Sequence, residues 1–216
     1  MLHLTFDRAE RPLKSVLCLG AHCDDIEIGC GGTLLRLTAE QPGLRVHWVV
    51  LSSNPVRAVE ARRSAGLFLA QAGEKEIAIR EFRESYFPYE GGEIKDYFET
   101  LKDISPDLIF THYRHDLHQD HRLVSELTWN TFRDHLILEY EVPKYDGDLG
   151  SPNVYVDIDE TLCRRKVNHI MEAYASQKDK RWFTEDTFLG LMRLRCVESN
   201  AAGRYAEGFY ARKIII

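Results

Sequence analysis

The sequence predicts one α/β domain, a mostly parallel sheet with helices on both faces. Three observations carry this. Short apolar runs alternate with stretches of helical spacing, the pattern of βαβ units. The apolar runs have the composition of strands buried on both sides. No internal repeat, low-complexity tract or linker interrupts the 216 residues, so one domain spanning residues 1–216 is expected.

The elements follow in order. Ser15-Val16-Leu17-Cys18-Leu19-Gly20 reads as a buried strand, and a helical pattern follows over about residues 31–40. Val46 to Leu51 is the second strand. A helix over 55–72 is expected from Val56, Val59, Ala61, Ala65, Phe68, Leu69 and Ala72, with Pro55 near its start and Gly73 after its end. Ile77-Ala78-Ile79 is a shorter strand candidate. Helices at 92–103 and 119–134 flank a strand at Leu108 to Thr111. The later pattern is less regular. It gives strands at Leu136–Tyr140 and Val154–Asp157 around a Pro/Gly/Asp-rich loop from Pro143 to Pro152. Helices at about 160–175 and 185–198 and a last strand at Gly208–Ile214 complete a Rossmann-like arrangement.

Composition excludes several classes. Hydrophobic residues make up 44% and charged residues 29%, which rules out disordered, collagenous and coiled-coil chains. The formal charge of −6 argues against nucleic acid as a partner, and the cluster Lys178-Asp179-Lys180-Arg181 is short and interrupted. The five cysteines form no CxxC pair, the usage expected of reduced thiols in the cytoplasm. Met1 to Asp7 lacks the features of a secretory leader, and no apolar run approaches the roughly 20 residues needed to span a bilayer. A small-molecule partner is expected, bound by the chain alone or as a homo-oligomer.

Two polar clusters fall where parallel strands should end, the usual place for ligands in such sheets. One is Ala21-His22-Cys23-Asp24-Asp25-Ile26-Glu27, followed by the glycine-rich Gly29-Cys30-Gly31-Gly32. The other runs from His112 to His121. Six of the nine histidines (His22, His112, His115, His118, His121 and His135) lie in or near these places, a concentration that chance scatter does not produce. Imidazoles plus a carboxylate make the usual catalytic zinc set, and His118 and His121, three apart at a helix start, share a face. Other uses exist for such residues. Adjacent acids after a strand commonly cap a helix, and loop histidines are often simply solvated. The glycine run is expected to allow a tight strand-to-helix turn.

The motifs resemble those of the LmbE-like, or PIG-L-type, zinc-dependent N-deacetylases. The family's Ala-His-Pro-Asp-Asp-x-Glu is matched by residues 21–27, and its His-x-Asp-His by His118-Gln119-Asp120-His121. Arg57-Ala58-Val59-Glu60, Tyr174-Ala175-Ser176-Gln177 and Tyr205-Ala206-Glu207 are similar to further family segments. The resemblance implies that His22, Asp25 and His121 hold zinc, and that Asp24 is the general base. It further implies that His118 is the general acid or oxyanion partner, that Asp120 orients His118, and that Arg57 lines the substrate pocket. Cys23 stands where the family has proline, either as a tolerated small residue or as a thiol near the metal.

The implied reaction is removal of an acetyl group from the nitrogen of an amino sugar or small glycoconjugate. The chemistry of the residues fits: zinc activates water, the free carboxylate takes its proton, and a histidine paired with a carboxylate stays charged to protonate the amine. Two alternatives stand beside it: a metal-dependent amidase on a non-sugar or thiol conjugate, and a non-catalytic module binding a nucleotide through its glycine loop. His112 is expected beneath the site, His115 exposed, and Asp116 near the mouth. Tyr86, Phe87 and Tyr89 are read as a sugar-stacking lip, a core edge or a subunit contact.

Overall fold

A computed structural model describes residues 12–215. The leader-free reading of Met1–Asp7 lies outside the described residues. Seven strands form one sheet: β1 (Ser15–Gly20), β2 (Arg45–Val50), β3 (Glu74–Ile79), β4 (Leu108–His112), β5 (Leu136–Tyr140), β6 (Val154–Ile158) and β7 (Tyr205–Ala211). Their order is β3-β2-β1-β4-β5-β7-β6. The first five are parallel, and β7 runs antiparallel to both β5 and β6. The helices are α1 (Asp25–Glu40), α2 (Pro55–Phe68), α3 (Gly91–Thr100), α4 (Gln119–Thr131), α5 (Glu160–Ala173) and α6 (Glu185–Ser199).

Alternation along β1 explains the two layers. Val16 and Cys18 point into a core shared with α1, α2, α5 and α6, whereas Leu17 and Leu19 point into a second core under α3 and α4. The chain runs outward from β1 to β3 and returns to β4 on the other side of β1. The crevice beyond β1 and β4 is therefore the topological switch point of the sheet, and both polar clusters open into it.

Three sequence expectations change. The first helix begins at Asp25, six residues early, and takes in the whole glycine run. These glycines serve close packing rather than a turn: a Cβ on Gly29 would overlap the Tyr140 ring, one on Gly31 the Phe68 ring, and one on Gly32 the Glu207 carboxylate. In α2, Val56 and Val59 are exposed, and the buried face is Arg57, Ala61, Ser64, Ala65 and Phe68. The last strand starts at Tyr205 rather than Gly208 because it must span β6 from Val154 to Ile158.

An ion pair enters the hydrogen-bond ladder of α1. Lys166 Nζ, on α5, donates to Ile28 O at 2.7 Å and to Glu207 Oε1 at 2.6 Å. Gly32 N–H, the group four residues beyond Ile28, donates to Glu207 Oε1 at 2.8 Å, and Thr33 N–H donates to Oε2 at 2.7 Å. Both charged side chains are 2% exposed. They tie α1, α5 and β7 together one turn behind the motif residues.

Candidate metal centre

The start of α1 and the start of α4 deliver the site. Asp24 is the N-cap residue of α1, yet its side chain makes no capping bond. Asp25 Oδ2 instead accepts the backbone N–H of His22 at 2.6 Å, which closes the turn after β1 and aims both side chains into the crevice. On the facing side, His118 is the N-cap of α4, and its Nδ1 accepts the N–H of Asp120 at 3.2 Å. His121, one turn on, points the same way as His118.

His22, Asp25 and His121 converge. His22 Nδ1 lies 3.1 Å from His121 Nε2 and 3.4 Å from Asp25 Oδ2, and His121 Nε2 lies 3.6 Å from Asp25 Oδ1. Donors at about 2.1 Å around a tetrahedral ion are separated by about 3.4 Å, so the two ring nitrogens, each facing a different oxygen of the Asp25 carboxylate, are spaced as a small metal ion would need. His118 also comes within reach of His22 and His121. His112 ends β4, is fully buried, and stacks under His121 with ring centres 3.9 Å apart. Its Nε2 accepts the Ala21 N–H at 2.9 Å, so that lone pair is committed to holding the loop.

Each imidazole of the triad is gripped from behind by a carboxylate. His121 Nδ1 pairs with Asp116 Oδ2 at 2.9 Å, and His22 Nε2 with Asp120 Oδ2 at 3.1 Å. Such partners fix the ring tautomer and orientation. Asp120 is itself fixed by Ser85 N–H at 2.6 Å and Phe87 N–H at 3.2 Å. The carboxylate expected to orient His118 thus meets His22. The i, i+2 spacing turns the Asp120 side chain away from the His118 ring, which receives only its backbone N–H. Asp116, expected at the mouth, is buried behind His121. Nothing in its local sequence marks that role except its place among histidines.

Asp24 and Arg57 form a second buried pair, with Arg57 donating to Asp24 Oδ1 at 2.8 Å. Arg57 is expected along the substrate pocket; it is buried against Asp24, its guanidinium 5.9 Å from the centre of the Tyr174 ring. Beneath the loop, the Tyr174 hydroxyl donates to Cys23 O and sits 2.5 Å from Glu27 Oε1. One hydroxyl hydrogen cannot serve both acceptors. Burial pushes the Glu27 carboxyl up to about 8, so at neutral pH it supplies the second hydrogen itself. The Cys23 thiol faces Ser52 O at 3.4 Å, and burial raises it to about 12.

Electrostatics sort the remaining groups. Burial works against charge on His22, but Asp25 and Asp120 outweigh it and raise the ring to about 10. Burial, with the neighbouring His112, depresses His121 to about 3. Burial also opposes the charge on Asp116, but His121 and Lys144 hold it well below the usual carboxylate range. Burial raises Asp24 above an ordinary aspartate despite Arg57. His118 is lowered by burial and by the charge on His22. With Nδ1 accepting from Asp120 N–H, His118 is a neutral ring carrying its hydrogen on Nε2, not the carboxylate-paired, charged imidazole the sequence suggests. His115 is exposed, Phe87 is buried, and Tyr86 and Tyr89 are exposed.

Fold and cluster together define a doubly wound α/β protein with a histidine–aspartate centre at its switch point, able to hold a metal ion. The chain belongs to the PIG-L family, described as GlcNAc-PI de-N-acetylase, whose pattern residues 17–132 match. It is 29% identical over 143 residues to the uncharacterized deacetylase YaiS of Escherichia coli K12, covering 60% of this chain and 75% of that one. The N,N'-diacetylchitobiose deacetylase of Pyrococcus horikoshii shares the fold with a TM-score of 0.73 and 24% identity, over 93% of this chain and 84% of that chain. GalB, the 4-carboxy-2-hydroxymuconate hydratase of Pseudomonas putida KT2440, shares it with a TM-score of 0.75 and 17% identity, over 94% and 98% of the chains. One fold thus carries a deacetylase and a hydratase, and the reaction must be argued from the site.

Proposed function

We propose that this chain is a zinc-dependent hydrolase that removes an N-acetyl group from an amino sugar or small glycoconjugate. The observation that carries the reading is the convergence of His22 Nδ1, Asp25 and His121 Nε2 beside a carboxylate, Asp24, that stays outside the triad. Membership of a de-N-acetylase family and the deacetylase names of relatives support it. Two nitrogens and one carboxylate oxygen are a usual catalytic zinc set. Zinc held there supplies Lewis acidity, polarising an acyl oxygen and lowering the pKa of water.

The protein's own groups do the rest. Asp24, more basic than a solvated aspartate and oriented by Arg57, takes the proton of the attacking water. The His118 Nε2–H donates to the oxygen on which charge develops as the acyl carbon becomes tetrahedral. Asp24 then hands its proton to the nitrogen as the C–N bond breaks, leaving acetic acid and a free amine, which become acetate and an ammonium once the acid gives up its proton. Asp116 and Asp120 keep the two histidines aimed throughout.

All five cysteines are free and buried, and no described helix is long and apolar enough to cross a membrane, which supports a cytoplasmic setting. The test pairs metal content of the purified protein with initial acetate release from an N-acetylglucosaminyl conjugate and an acetyl-lysine peptide at equal concentration. About one zinc per chain and preference for the sugar are expected. Preference for the peptide moves the chain to an amidase reading, and full turnover without metal overturns the zinc assignment.

A further inference from the structure

The connection between β5 and β6 folds back behind His121. Lys144, on this connection, has a side chain only 8% exposed and donates from Nζ to Asp116 Oδ2 at 2.8 Å and to Asp148 Oδ2 at 2.5 Å. Asp116 Oδ2 is the same oxygen that His121 Nδ1 meets at 2.9 Å. The other Asp116 oxygen accepts the His118 N–H at 2.7 Å. Asp148 Oδ2 also accepts the Leu117 N–H at 2.7 Å, fastening the connection to the loop before α4. A line of four side chains, Asp148, Lys144, Asp116 and His121, thus runs from the β5–β6 connection to the metal triad.

Rotation about the Asp116 Cα–Cβ bond would carry its carboxylate off His121. Two restraints oppose that: the backbone N–H on one oxygen, and the Lys144 ammonium beside His121 on the other. We propose that Lys144 is a positioning residue of the metal centre, holding Asp116 at the angle that presents His121 Nε2 to the ion. The inference rests on the metal reading above and extends it to a residue outside the two motifs. It makes the β5–β6 connection part of the centre, although its sequence carries no ligand.

Zinc affinity by chelator competition, and the visible absorption of the cobalt-loaded protein, test it. Lys144→Met should weaken zinc about tenfold, the low end of what outer partners of metal ligands contribute. It should also alter the cobalt spectrum, which reports ligand geometry. Lys144→Arg should restore both to near wild type. Asp148→Asn, which loosens the connection but leaves Lys144 on Asp116, should keep zinc within about threefold and leave the cobalt bands unmoved. If Lys144→Met does not fold, Lys144→Gln, able to donate one hydrogen bond but lacking charge, takes its place and should show the same loss. The proposal is overturned if the uncharged variant binds zinc within about twofold of wild type, well short of the expected outer-partner effect. It is equally overturned if Asp148→Asn loses as much, since loop anchorage would then be the cause. A wild-type chain that holds no zinc sinks the metal reading itself, which separates the two failures.

Discussion

His22 Nδ1 and His121 Nε2 face each other at 3.1 Å across the point where the three candidate ligands converge. Their outer nitrogens both meet carboxylates, His22 on Asp120 and His121 on Asp116. His22, raised to about 10, carries two N–H groups at neutral pH, and His121, lowered to about 3, keeps one. One proton therefore lies between the rings, where a metal ion would sit.

Metal uptake should expel that proton. Below about pH 10 the apparent zinc affinity should rise about tenfold per pH unit, since the ligating form of His22 is the neutral one. Titration calorimetry in buffers of different ionisation enthalpy should show close to one proton released per ion at pH 7. No release would mean that His22 is already neutral in the metal-free protein.

The stability of the metal-free chain should fall as pH rises. The folded pKa of His22 lies above the ordinary 6.5, so its contribution is complete below about 6.5 and is lost as pH climbs towards about 10. Glu27 acts in the same direction, its contribution disappearing between its ordinary 4.5 and about 8. His121 acts oppositely, but only as pH falls from 6.5 towards about 3. Melting temperatures of the metal-free protein between pH 6.5 and 9 should therefore decline. A rise over that interval contradicts the proton placement.

Asp24→Asn should keep metal and fold while kcat falls by about 10²–10⁴-fold, the usual contribution of a positioned base. Arg57→Met should leave Asp24 unpaired and raise its pKa further, moving the acid limb of the pH–rate profile to higher pH. An unmoved limb would place the base elsewhere.

Lys166→Met should cost about 3–5 kcal/mol, because it removes one partner of a buried pair and leaves the Glu207 carboxyl without its cation. Urea unfolding of the metal-free protein measures this. A loss below about 1 kcal/mol would mean that the helix N–H groups on Glu207 suffice alone.

Cys23→Ala should leave metal content unchanged, because the thiol faces Ser52 O and burial keeps it protonated. Metal analysis decides this, and a drop in zinc would make the thiol a ligand after all.

The sheet was legible in the sequence because its central strands β1, β2 and β4 are apolar runs buried on both faces and helical stretches separate them. The three residues that converge were legible because they stand at strand ends in motifs with fixed spacing. What escaped had physical causes. A Gly-Cys-Gly-Gly run lowers helix propensity, and packing against Tyr140 and Phe68 overrides it, so the sequence pattern places the start of α1 late. Asp120 is expected on His118 and Asp116 at the mouth, because the two-residue spacing of each from His118 gives no hint that Asp120 meets His22 and Asp116 meets His121. Lys144 lies 23 residues beyond His121, and its approach depends on how the β5–β6 connection folds back.

Those glycines also bear on transplanting the centre. Helix α1 carries Asp25 at its tip and lies close enough to the sheet and to α2 that no side chain fits at Gly29 or Gly31. Any larger residue there would lift the helix and carry Asp25 away from His121, which rides on a different helix across the crevice. A designer grafting His22, Asp25 and His121 onto another parallel sheet would have to bring the bare helix face as well, since the spacing of these side chains is set by how closely two layers can approach.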